Sequence, residues 1–194
     1  MTPEQVLEVI AKHEGWLQRK SGGERADLSG FDLSGFQLSR LNLQSVRLSG
    51  TNLSGSLLTA TDLSYADMFC ANLDGAELRD SIMTRADLRG ASIRNANLAG
   101  AVLKEADLRG GAFVSDNPGA SPMHIRSNLS QSEMDEVEMD NANLSGTDLS
   151  RSSMVGANLE NTLLCGANLA GVNLEGANLK GADLSGANLT DARI

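Results

Sequence analysis

The amino-acid sequence predicts an all-β fold, a four-sided β-helix of about eight coils with a capping α-helix at its N-terminal end. Three observations carry this reading. An apolar residue recurs at every fifth position from Leu28 to Phe113 and, after a slip of one, from Leu129 to Ile194. A small residue (Ala, Ser, Thr, Val or Gly) stands two before that centre in 29 of 32 units, and Gly stands two after it in 15. Aromatic residues make up only 3% of the 194-residue chain, too few for an ordinary aromatic-centred core.

A period of five fits neither the 3.6 of a helix nor the 2 of a flat strand. It fits a chain that turns a corner every five residues. Small residue and centre are two apart, so both point to one side of an extended segment, into the coil. The residue between them points out; it is Asn or Asp in 19 of 32 units, which suggests ladders stacked along the rod. Gly after the centre supplies a corner conformation other residues resist. Four sides make a coil of 20 residues, and coils stack at about 4.8 Å, the spacing of hydrogen-bonded strands.

In chain order, residues 1–24 read as a cap and linker. Thr2, Pro3 and Gln5 form a helix start with a capping box. Val6, Leu7, Ile10 and Leu17 share a face with Trp16 at its edge, and Gly22 and Gly23 stop the helix. Residues 25–194 read as the β-helix. Phe31, Phe36 and Leu41 replace the small inward residue in the first coil only, so they are expected to meet the helix and plug that end. The pattern breaks near 114–126. Phe113 to Leu129 spans three units plus one residue, which allows either a distorted, continuous coil with Met123 inward or a loop projecting over Asp116–Ser121. The last repeats are the cleanest. With no plug there, Leu179, Leu184, Leu189 and Ile194 would present an open strand edge, a template for pairing two copies into a homodimer.

The units RADLSG, FDLSG, FQLSR, LNLQS, VRLSG and TNLSG, and later GANLAGVNLEGANLKGADLSGANL, closely resemble the pentapeptide-repeat family. The resemblance runs from Arg25 onward. It implies a right-handed quadrilateral β-helix and, for function, a non-catalytic protein-interaction scaffold. It also implies an alternative, since quinolone-resistance members of the family imitate DNA and bind DNA gyrase, a type II topoisomerase. Those members favour Phe centres; here 24 of 32 are Leu and one is Phe.

No catalytic constellation is legible. His13 and His124 are far apart in sequence and read as solvated. Cys70 and Cys165 take outward positions without His at ligand spacing. Neither a metal nor a cofactor is expected, and no enzyme activity. Two cysteines make no disulfide framework, which reads as reduced thiols and a cytoplasmic protein. No apolar run approaches the length of a membrane span, and no signal peptide is legible. The net charge of −9 opposes direct binding of nucleic acid. Charge is uneven: residues 114–194 hold 11 acids and four bases. Their densest stretch, Glu133, Asp135, Glu136, Glu138 and Asp140, is a candidate docking patch for a basic groove. Tyr65, Phe69, Ile82, Val102 and Leu163 are apolar at outward positions. Ile82 and Val102 are 20 apart and stack on one face; a single-residue bulge at the interruption would add Leu163 to their column, a candidate partner contact.

Overall fold

The computed structural model describes residues 1–113 and 123–194. Its repeating unit is one side of a coil. The outward residue before each centre bridges in parallel to the residue 20 later, as Asp27 to Arg47, Asp32 to Asn52, Gln37 to Leu57 and Asn42 to Asp62, and four such ladders run along the rod. Each step is held by paired backbone bonds: Leu28 N–H donates to the Arg47 carbonyl (2.8 Å), and Arg47 N–H donates back to Ala26 (3.1 Å). At the corners the centre's carbonyl accepts from the N–H three residues on, as Leu43 from Val46 (3.1 Å), and the residue two after the centre has positive φ. That is the signature of a type II turn. Gly30 suits it (φ 71°), but Ala60 (φ 55°) and Tyr65 (φ 59°) are held in it too, against their own preference.

Inside, every centre from Leu28 to Leu108 and from Leu129 to Leu174 is buried. A buried Leu contributes about 1.5–3 kcal/mol relative to exposure, so this column of centres replaces the missing aromatics. Most hydroxyls among the small residues, though not that of Ser81, are satisfied by the core's carbonyls: Thr51 Oγ1 donates to Leu28 (2.7 Å), Thr61 to Leu38 (2.8 Å) and Thr162 to Met139 (3.1 Å).

The interruption is an excursion from the coil, and neither a one-residue bulge nor a distorted turn of it. Asp107 bridges to Asn143, and Ser92, Asn97 and Val102 bridge to Asn128, Glu133 and Glu138, 36 residues on instead of 20. The coil leaves after Arg109 and returns at Ser127, whose Oγ donates to the Arg109 carbonyl (2.7 Å). Between them β1 (Gly111–Phe113) pairs antiparallel with β2 (Met123–Ile125). Phe113 therefore pairs with Met123 outside the coil and is no centre of it. Met123 is 62% exposed, not inward. The expected loop over Asp116–Ser121 lies outside the described residues.

α1 (Pro3–Leu17) has the expected capping box, with Gln5 N–H donating to Thr2 Oγ1 and Thr2 N–H to Gln5 Oε1 (2.8 Å). Its buried face is Val6, Ile10 and His13; Leu7 points away. The helix ends before the glycines. Arg19 takes the left-handed position (φ 54°), and Lys20 N–H donates to Gly15 (2.8 Å). Gly23 serves close approach instead: a Cβ there would lie 2.3 Å from the Trp16 nitrogen. Phe36 and Leu41 pack against the core, but Phe31 stays 38% exposed. One helix is too narrow for the square end, and an open groove of about 440 Å³ remains beside Leu7, Phe36 and Leu41.

Candidate functional site: the outer faces

With the interior filled, the rod's chemistry lies on its faces and corners. The Asn and Asp columns are structural. Each side chain accepts the N–H two residues on, as Asp32 from Ser34 (3.0 Å) and Asn72 from Asp74 (3.1 Å), the Asx turn that short polar side chains favour. They also bond along the rod: Asn52 donates to Asp32 (2.9 Å), Asn72 to Asn52 (3.2 Å), and Asn188 to Asn168 (3.1 Å).

The outward apolar residues do not form one column. Ile82 and Val102 stack, but the ladder continues to Glu138. Leu163 lies in a different ladder, between Asn143 and Asp183, because the excursion shifts the phase by 36 residues instead of 21. Tyr65 stands at a corner, 53% exposed, with the Arg85 guanidinium 6.0 Å from its ring, and Arg85 is paired in turn with Glu105 (2.7 Å). Phe69 is half-buried. Arg89 lies over its ring at 5.6 Å, and β1 starts against it, since a Cβ on Gly111 would meet the ring at 3.0 Å. Phe69 thus seats the hairpin.

The acidic stretch wraps a corner. Glu133 and Glu138 belong to neighbouring ladders, and exposed Glu136 stands between them with positive φ (58°). Asp135 is engaged within the rod, accepting Ser153 Oγ (2.5 Å) and Val155 N–H (3.0 Å). Lys104, from the coil before the excursion, reaches Glu138 (3.3 Å) and Asp140 (3.1 Å). This proximity was hidden in the sequence, where the two segments are more than 30 residues apart. The Asp140 and Glu138 carboxylates raise the affinity of Lys104 for its proton.

Elsewhere the charges pair along or across coils. Arg94 chelates Asp74 (2.5 Å), which also accepts Ser92 Oγ (2.6 Å). Burial alone would raise that carboxyl; the bonds from Arg94 and Ser92 outweigh it and hold it low. Arg89 and Arg109 lie on Asp87 and Asp107. Cys165 donates to Asp183 (3.0 Å). Asp183 is pulled down to about 2, first by the Ser185 hydroxyl and then by this thiol, and the carboxylate pushes the thiol up. Burial, then Asp87, raises the Cys70 thiol. Both cysteines are therefore poor nucleophiles at neutral pH. Among the described residues no group of three His, Cys, Asp or Glu could hold a metal ion, and no helix is long and apolar enough to cross a membrane. His124 is exposed on β2, whereas His13, expected in solvent, is wholly buried between α1 and the first coil.

At the far end, Leu179, Leu184 and Leu189 are only partly buried, and Ile194 is 73% exposed. The last N–H groups to donate onto a following coil are those of Gly171, to Thr190, and Leu174, to Arg193; among the described residues the sides after Leu174 bond only back to the coil before, as Asn178 does to Ala157.

No curated protein matches the chain. Among solved structures, the chain is similar to HetL, a pentapeptide-repeat protein involved in heterocyst differentiation regulation in the cyanobacterium Nostoc sp. strain PCC 7120. Identity is 26% over 99% of this chain and 96% of that one, with a TM-score of 0.43. It is also similar to QnrB1, a plasmid-mediated fluoroquinolone resistance protein, at 17% identity over 87% and 82% of the two chains, with a TM-score of 0.48. A third, from Arabidopsis thaliana thylakoid lumen, shares 27% over 63% and 64%, with a TM-score of 0.20. The family described as pentapeptide repeats, the right-handed β-helix family, matches in eight copies over residues 24–59, 37–69, 71–110, 125–151 and 152–191. With most of its length matched and its 20-residue ladders in place, the chain belongs to the pentapeptide-repeat family.

Proposed function

We propose that this chain is a non-catalytic scaffold, a rod of about eight coils that displays fixed outer faces to a protein partner in the cytoplasm. The observation that carries this is the filled interior: buried centres occupy the coil from Leu28 to Leu174, which leaves recognition to the outside. The face bearing Ile82 and Val102, with Tyr65 on its corner, is the first contact candidate; Phe69 and Leu163 serve other faces. The rod positions such groups at about 4.8 Å per coil without ordering cost on binding. Asp already fills the position of Ile82 and Val102 in neighbouring pentads, so Ile82→Asp with Val102→Asp should keep the fold. Quantitative capture of a defined partner by wild type, and its loss with that pair at unchanged Tm, supports the reading. Partner binding unaltered by substitutions on every outer face defeats it.

The copies pair, in this reading, through the edge at Leu179, Leu184, Leu189 and Ile194, a second copy supplying the missing rungs. Light scattering of these 194 residues should give a dimer, and Leu189→Lys with Ile194→Lys a monomer. A wild-type monomer at high micromolar concentration removes the pairing.

The acidic corner supports a second reading, a DNA-mimicking regulator or protector of DNA gyrase. Glu133 and Glu138 lie on two adjoining faces, Asp135 and Glu136 on the turn between them, and Asp140 on the next turn. Purified gyrase in a supercoiling assay decides it. Neutralising all five carboxylates should abolish an effect of the chain while sparing Tm; an unchanged effect excludes this corner.

A further inference from the structure

The junction between α1 and the first coil is closed by an ionisable group. In later coils the N–H of the small inward residue donates to the centre of the preceding pentad, as Val46 does to Leu43. Ala26 opens the first pentad and has no such centre before it. His13 takes that place: its Nδ1 accepts the Ala26 N–H at 3.1 Å. The ring is fully buried, stacked on Trp16 at 5.4 Å with 15° between planes. Its Nε2 is also buried, and no hydrogen bond of ordinary geometry satisfies it.

We propose that His13 is an acid-sensitive latch, whose protonation releases α1 from the end of the β-helix. An acceptor nitrogen cannot take a proton and keep the Ala26 bond. An imidazolium in this site would be a buried cation facing a backbone donor, which is strongly unfavourable unless it is paired.

The charged groups around the ring do not pair it. From α1, Glu14 favours the cation; from the connector, Arg25 opposes it; from the first coil, the Gln44 carbonyl favours a proton on the ring. Lys12, paired with Glu8 and close to Glu24, forms the exposed rim of the same junction. Asp62 is engaged by the Gln44 side chain (2.5 Å). Burial dominates and lowers the imidazole's affinity for a proton below its ordinary value. A base with lowered affinity in the docked state stabilises docking above the free-imidazole value of about 6.5, and the contribution is lost as pH falls below it. Release would uncover Val6, Ile10, Phe36 and Leu41.

Amide hydrogen exchange on the full chain at pH 7.5 and 5.0, corrected for intrinsic rates, tests this. Protection of residues 3–17 should fall about tenfold or more at pH 5.0, while protection over Leu53–Leu103 holds. His13→Asn places an oxygen where Nδ1 accepts and cannot titrate, so its α1 protection should be flat with pH. Equal protection of α1 at both pH values in wild type overturns the proposal, as does an equal acid loss in His13→Asn. If that variant is undocked at pH 7.5, the wild-type His13 ring resonance is titrated instead. A midpoint shared with the α1 amides supports the latch, and separate midpoints refute it.

Discussion

Leu88 shows what a single centre is worth. It is fully buried, between coils on both sides, so Leu88→Asp places an unpaired carboxylate where none can be solvated, at a cost of several kcal/mol. The variant should melt far below wild type by circular dichroism; equal melting would mean the register is wrong. Ala60 makes the opposite case. Its φ of 55° is held by the corner against its own preference, and Ala60→Gly should raise stability by about 1 kcal/mol, the usual cost of that region to an L-residue; a drop in Tm would refute strain at the corner. The centres, their small partners and the corner glycines were legible because each obeys a local rule repeated dozens of times. Gly23 and His13 were not. Their roles come from one close approach, Gly23 against the backbone of Trp16 and His13 over the Ala26 N–H, and neither belongs to the period. A lone His at a helix position has no sequence signal that separates a buried acceptor from a solvated side chain.

At the scale of elements, the excursion is the feature the sequence left open. A shift of three pentads plus one residue is compatible with a bulge or a loop, and only the bridges to residues 128, 133, 138 and 143 separate them. Once they are known, the splice is readable. Leu108-Arg109-Gly110 and Ser127-Asn128 are the two parts of one pentad, with Gly at the corner, Ser at the small inward site, Asn on the outer ladder and Leu129 as the next centre. Deleting residues 111–126 should therefore give a continuous coil. The deletion variant should stay within about 1 kcal/mol of the full chain in denaturant unfolding, since regained loop-closure entropy opposes the lost seat of Gly111 on Phe69. A collapse of the transition would show instead that the hairpin is part of the core. The cap was legible as a helix with a box at Thr2 and Gln5, but its docked face was not: the 3.6 period admits both Leu7 and His13, and the chain buries the second.

Over the whole molecule, contacts reach only from one coil to the next, because every bridge joins residues one coil apart. Stability in such a stack is a sum of coil terms and neighbour interfaces, and opening starts where an interface is missing. The two ends differ. At the first coil α1 buries Val6, Ile10 and His13 against the stack. At the last, Leu179, Leu184 and Leu189 are half-covered, and among the described residues no N–H beyond Leu174 donates onto a following coil. Amide exchange of these 194 residues at pH 7.5 should therefore form a gradient. Protection should be least over 175–194, rise coil by coil towards Leu144, and stay high from Leu108 back to Leu43 while α1 is docked. A paired copy on the last coil changes the prediction in a defined way: protection over 155–174 then rises with protein concentration. Uniform protection from end to end at low concentration would mean that the rod opens as one unit, and that the open edge costs it nothing.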